Sequence, residues 1–328
     1  MHRLLRLTLV ALLGLGIGLL GYVGWLVLTN PGPRDTVGWQ LIARLPSARG
    51  ETATAVAGGR LYVIGGLTGL ASDASPLVSA YDPALDAWEA AVPLPSARHH
   101  AAAAALDNTL YVTGGGPSAD DWTPQPMLWS LPSGADAWRV LAPMPDGRLG
   151  HRMVAVDGRL YVVGGIGSTA EVLVYDPDAD AWASAAPIPV SRDHLAAVVV
   201  GDEIWAIGGR SGGEIHTRVD IYDTTTDTWR EGPPLPAPTS GAAEAIVDGV
   251  ILISGGESAD GVIDRHWMLD TGLGSSAAWE PLSRPPFPVH GAQGAALDDR
   301  FLIVGGALRQ GAFSRFSWTD ATQAYRPL

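Results

Sequence analysis

Residues 157–165, Asp157-Gly158-Arg159-Leu160-Tyr161-Val162-Val163-Gly164-Gly165, join a two-residue hairpin turn to a strand-forming run that stops at a doubled glycine. The same ending recurs at Gly65-Gly66, Gly114-Gly115, Gly164-Gly165, Gly208-Gly209, Gly255-Gly256 and Gly305-Gly306, at intervals of 49, 50, 44, 47 and 50 residues. Six copies of one unit describe a repeat architecture in which each copy buries its apolar face against the next. The composition agrees: 41 Gly, 25 Pro and 12 Trp among 328 residues suit many short strands and tight turns, padded by large aromatics.

Two further markers fix the register. A tryptophan at 39, 88, 138, 182, 229 and 279 stands ten residues ahead of positions 49, 98, 148, 192, 239 and 289, which lie sixteen before the first glycine of each pair. That stretch holds without a slip in all six copies. Tyr81, Leu131, Tyr175 and Tyr222 fall seven residues before their tryptophans, and Leu269 falls ten before Trp279. Each unit therefore reads as strand a, a short turn such as Asp157-Gly158 or Asp248-Gly249, strand b ending in Gly-Gly, strand c ending in Tyr-Asp, and strand d starting at Trp. The glycines let one sheet's backbone approach the next, and Trp and Tyr fill the wedge between sheets.

Gly-Gly, Tyr-Asp-Pro and Trp at these spacings resemble the kelch repeat family, from about residue 37 to the end. The resemblance implies an all-β fold, a six-bladed kelch-type β-propeller. Strand counting then predicts its closure. The chain starts with an unpartnered strand d at Trp39 and ends on Tyr325-Arg326-Pro327, so residues 37–42 are expected to complete the last blade.

The N-terminus carries a different signal. Leu7 to Leu28 run without a charge behind Arg3 and Arg6, long enough for a helix to cross a bilayer. No small-x-small cleavage pattern follows at Leu26-Val27-Leu28-Thr29-Asn30-Pro31. The expected organisation is a transmembrane signal-anchor in residues 1–28, a stiff linker over 29–36 and the propeller over 37–328. Flanking arginines place the propeller on the extracytoplasmic side of the cell membrane, with secretion after cleavage as the alternative.

Net charge is −13, and leaving out Arg3 and Arg6 leaves 19 basic residues against 34 acidic ones. Such a surface repels phosphate backbones, which sets nucleic acid aside as a partner. With no cysteine, disulfides, thiolate metal sites and cysteine nucleophiles are excluded, as is the copper radical chemistry of galactose oxidase, a kelch protein that requires a cross-linked cysteine. No Walker loop, zinc motif or dinucleotide fingerprint is present, and no cofactor is expected. The string Gly209-Arg210-Ser211-Gly212-Gly213 matches a nucleophile elbow but opens a loop after a strand.

Strand alternation gathers the b-to-c and d-to-a loops on one face, and the b-to-c loops vary most in length, from Gly165–Tyr175 to Gly306–Tyr325. Arg49, Arg98, Arg148 and Arg192 occupy the position sixteen before the glycines, where Thr239 and Val289 stand in the other two blades. They form a crescent of guanidinium forks for a carboxylate or phosphate; the resemblance also allows them to be the ordinary kelch residue pairing with its neighbours. His99, His100, His151, His194 and His290 lie in or beside the d-to-a loops. They come from different blades without ligand spacing, so no metal is expected. Arg210 and Glu257 directly follow their glycine pairs, and Trp122 and Trp318 stand in long b-to-c loops. Glu244 lies eleven before Gly255, where the other blades carry Thr54, Ala103, Met153, Ala197 and Gly294, and is expected to face the channel.

The reading that follows is a binding module for a protein or glycan ligand, held by Arg49, Arg98, Arg148, Arg192, His100, His194, Arg210, Glu257 and Trp122. The alternative is a sugar-acid enzyme. An exported six-bladed kelch propeller resembles the sialic acid mutarotases and epimerases, with Glu244 as catalytic proton acceptor and the arginines on the carboxylate.

Overall fold

A computed structural model describes residues 29–34, 36–168 and 170–327. The span read over residues 7–28 lies outside the described residues, and among the described residues no helix is long and apolar enough to cross a membrane.

Six four-stranded antiparallel sheets follow one another along the chain. In the first, strands a to d are Ala53–Ala57, Arg60–Ile64, Val78–Asp82 and Ala87–Ala90. In the last, strands a, b and c are Gly294–Leu297, Arg300–Val304 and Thr322–Tyr325. Its strand d is Trp39–Ile42 from the other end of the domain, in the register Trp39 to Tyr325 through Ile42 to Thr322. The ring has six wedges, and each holds its own cluster of buried apolar side chains shared by two adjacent blades. Tight turns between strands a and b need positive φ at both central residues, as at Asp157 (44°) with Gly158 (71°) and Asp248 (51°) with Gly249 (80°).

Tryptophan does more than fill the wedge. Each indole Nε1 donates to a backbone carbonyl of the preceding blade, four residues past that blade's own tryptophan: Trp88 to Ala43, Trp138 to Val92, Trp182 to Ala142, Trp229 to Ala186, Trp279 to Pro233 and Trp39 to Ser283, at 2.8–3.1 Å. Asp86, Asp180 and Asp227, each two residues before a tryptophan, accept from the phenol of their own blade's tyrosine. The same carboxylates accept from the amides of Ala43, Ala142 and Ala186 in the preceding blade.

Residues before the first strand are also tied down. Asn30 donates to the Phe316 carbonyl at 3.0 Å and accepts from Arg309 at 3.2 Å. Arg34 pairs with Asp264 and donates its amide to the Pro286 carbonyl. The segment read as a linker thus lies against the long loops of the fifth and sixth blades.

Trp39 stacks on Tyr325 at 5.1 Å and on His266 at 5.1 Å and is 8% exposed. Trp39→Ala removes the packing and the Ser283 bond together and is expected to cost about 3–5 kcal/mol. A denaturant midpoint equal to wild type would show that this strand does not close the ring.

Candidate functional site

The d-to-a loops build the centre of the ring. Two residues after each position of the arginine series, the chain turns into left-handed backbone at Glu51, His100, Gly150, His194, Gly241 and Gly291, with φ of 52–63°. Each of these amides donates to the carbonyl of the equivalent residue one blade back: His100 to Glu51, Gly150 to His100, His194 to Gly150, Gly241 to His194, Gly291 to Gly241, and Glu51 to Gly291, at 2.6–3.0 Å. The result is a closed belt of six hydrogen bonds around the axis. A second belt surrounds it. The second glycine of every pair donates to the carbonyl at the arginine position of the next blade: Gly66 to Arg98, Gly115 to Arg148, Gly165 to Arg192, Gly209 to Thr239, Gly256 to Val289 and Gly306 to Arg49, at 2.7–2.9 Å. A Cβ on the first glycine of each pair would stand 2.2–2.5 Å from that same carbonyl oxygen, which explains the doubling.

The inner belt divides the axis. Below it, strands a line a cavity of about 330 Å³ that includes Thr54, Ala103, Met153, Ala197, Glu244 and Gly294. Above it, on the long-loop face, lies a mouth of about 350 Å³ lined by Glu51, His100, His194, Arg210, Glu257, His290, Trp122, Trp318, Ser72, Ser314 and Arg315. The last loop covers part of this mouth through a short 3-10 helix, Gly311–Phe316.

The arginine crescent is corrected by this geometry. Arg49, Arg148 and Arg192 are 0–1% exposed and run back along their own blades rather than into the mouth. Arg49 donates to the carbonyls of Gly65 and Leu77 and to Ser79 Oγ, at 2.8–3.2 Å. Arg148 reaches Gly164 and Asp146. Arg192 donates to Gly208, Ala206 and Val190 and pairs with buried Asp220 at 2.7 Å. Arg98 bonds Ala97 and lies 5.2 Å over the ring of Trp129. Burial lowers Arg49 to about 10, and its fork serves strand-end carbonyls otherwise cut off from water. None of the four lines the mouth.

Glu244 does face the lower cavity, but it is buried against Arg152, whose Nε donates to it at 2.5 Å from across the channel. Burial raises its carboxyl above the ordinary range and Arg152 opposes that rise. The belt and the narrow space it encloses lie between it and the mouth. His151 is fully enclosed, and burial pushes it down to about 3.

His100, His194, Arg210, Glu257 and Trp122 do come together in the mouth, and Glu51, Asp193 and His290 join them. His194 Nδ1 donates to Asp193 at 2.5 Å, and Arg210 bridges Asp193 at 2.9 Å and Glu257 at 2.6 Å. His100 Nε2 stands 3.1 Å from Glu51. Burial alone would raise Glu51, yet His100, then His290 and His194, hold it well below the usual carboxylate range. Burial lowers His194, against the pull of Asp193. Trp122, 44% exposed, stacks on His100 at 4.7 Å and on His99 at 5.2 Å. Trp318 covers Gly50, where a Cβ would stand 2.5 Å from its ring.

The model of the KLHDC2/KLHL20/DRC7 Kelch-repeats domain matches residues 141–306, and that of the Kelch motif matches residues 48–95. No curated protein matches the chain. The solved structure of YjhT superposes with a TM-score of 0.72 at 18% identity, covering 86% of this chain and 96% of that one, a likeness of fold.

If the buried arginines are structural, Arg192→Ala leaves Asp220 with Arg218 as its remaining ion-pair partner and is expected to destabilise the protein by on the order of 3 kcal/mol. Urea unfolding measures it. An unchanged midpoint would return Arg192 to the list of ligand contacts.

Proposed function

Since the chain belongs to the kelch-repeat family, we propose that it is a recognition module whose mouth takes a small polar ligand of the saccharide class, free or as the end of a glycan. One observation carries the reading. A cavity of about 350 Å³ has two tryptophan rings on its walls and a floor of Glu51, His100, His194, Arg210, Glu257 and His290, the mixture of flat apolar faces and paired hydrogen-bonding groups that sugar rings require. Charged groups of the floor are largely satisfied by one another, so an uncharged hydroxylated ligand costs less to seat than a multiply charged one.

The sugar-acid isomerase reading draws no support from the geometry. Glu244 is occupied by Arg152 below the belt, three of the four arginines meant for the carboxylate are buried, and Arg98 does not line the mouth.

We also propose that residues 7–28 anchor the chain in the cell membrane with the propeller outside the cytoplasm. Their length and the flanking Arg3 and Arg6 support it. Because Thr29 and Asn30 are bonded to Arg309 of the sixth blade's long loop, such an anchor enters the domain on the side of the mouth.

A glycan array probed with the full chain in detergent, with thermal shift as readout, identifies the ligand. Trp122→Ala is then expected to weaken it at least tenfold without lowering the melting temperature of the free protein. Wild-type affinity in that variant would remove the mouth from consideration.

A further inference from the structure

The inner belt asks only for left-handed backbone, and three of its six positions use glycine. The other three carry Glu51, His100 and His194, at φ of 53°, 53° and 52°. A non-glycine residue held there costs of order 1 kcal/mol, and a glycine would serve the belt as well. The glycines also make room for the side chains that remain. A Cβ on Gly291 would stand 2.3 Å from the Glu51 carboxylate, and one on Gly150 would stand 2.9 Å from the His194 ring. Strain and cleared space thus converge on one point of the floor.

The imidazoles there share a pattern of hydrogen bonding. His194 gives its Nδ1 proton to Asp193, which leaves the Nε2 lone pair toward the mouth. His100 Nδ1 meets His99 Nδ1 at 2.6 Å. A carbonyl can only accept, so the Nε2 of His99, 2.8 Å from the Ser118 carbonyl, carries that ring's proton. His99 Nδ1 is therefore the acceptor, His100 Nδ1 the donor, and His100 Nε2 is turned onto Glu51 at 3.1 Å. His290 ties its Nε2 to the Arg309 carbonyl at 2.9 Å and presents Nδ1 at 3.9 Å from Glu51. Each ring has one nitrogen held by an outer partner, which is how proteins orient histidines for a metal ion; the other nitrogen faces Glu51 in His100 and His290 and Arg210, at 3.3 Å, in His194.

We propose that Glu51, His100 and His194 bind a divalent transition-metal ion of the zinc class, with His290 as the fourth donor. One ligand atom from each of the first three lies within 4.8 Å of the others. Donors around a tetrahedral zinc-class ion stand about 3.3 Å apart, so small side-chain rotations close the shell. Three imidazoles and one carboxylate, with no thiolate or carbonyl, select such an ion over calcium or magnesium. Arg210 does not prevent this. Its Asp193 and Glu257 bonds anchor it at 2.9 and 2.6 Å, and its 3.3 Å contact with His194 Nε2 is the longest of the three. The inference stands apart from the identity of the ligand above the floor, because metal alone tests it.

The full chain, stripped with a chelator and titrated with Zn²⁺ by calorimetry, is expected to bind one equivalent, with Co²⁺ giving visible d–d absorption in its place. His100→Gly and His194→Gly should each weaken Zn²⁺ at least 100-fold while the metal-free melting temperature stays within a few degrees, since glycine suits the belt. His100→Asn, which also tolerates left-handed backbone, repeats the test should a glycine variant fail to fold. Asp193→Asn should weaken Zn²⁺ by about 10–100-fold. Absence of saturable binding, or wild-type affinity in the His100 and His194 variants, would overturn the proposal.

Discussion

Everything in this ring depends on backbone amides that bond from blade to blade. Six belong to the inner belt at 2.6–3.0 Å, and six more run from the second glycine of each pair at 2.7–2.9 Å. Six indole donors at the rim repeat the link at larger radius. No single bond of this kind contributes more than about 0.5–1.5 kcal/mol. Their strength as a set comes from closure: every blade is held at three radii by both neighbours, and the last blade is completed by Trp39–Ile42. The first glycine of each pair is the steric condition for this, because any side chain there would strike the carbonyl that the second glycine binds.

The same constraint decides where chemistry can sit. Because the belt encircles and narrows the axis, only a space of about 20 Å³, lined by Glu51, His100 and His194 with Arg152 and Gln293, lies between the lower cavity with Glu244 and the upper mouth with Glu51. It also explains the fate of the arginines. Blade ends crowd carbonyls together beneath the loops, and a buried guanidinium satisfies several of them at once. The three belt residues that carry side chains, Glu51, His100 and His194, all line the mouth. Three glycines and three ionisable side chains share the six equivalent positions of the ring.

The repeat, its strand order and the closing strand were legible because glycine pairs and tryptophans are set by backbone geometry, which leaves a fixed spacing. Glu244 could be placed on the channel because its counterparts in the other repeats are uncharged and strand alternation is regular. The arginines were misplaced because spacing locates a Cα, not the direction of a long side chain beside a left-handed turn. His100 and His194 drew notice as loop histidines. Glu51 and Asp193 did not, since acids in loops are ordinary; comparing the residue two past each arginine position, Glu51, His100, Gly150, His194, Gly241 and Gly291, was the signal that finds the ring. How the last loop folds over the mouth and brings Trp318 to Gly50 had no such marker.

Amide hydrogen exchange on the full chain tests the belt most directly. The amides of Glu51, His100, Gly150, His194, Gly241 and Gly291 all lie in loops, where exchange is ordinarily fast. The account predicts that they exchange as slowly as the amides of the innermost strands, opening only with global unfolding. Exchange at the pace of the neighbouring loop residues, with the strands still protected, would contradict it.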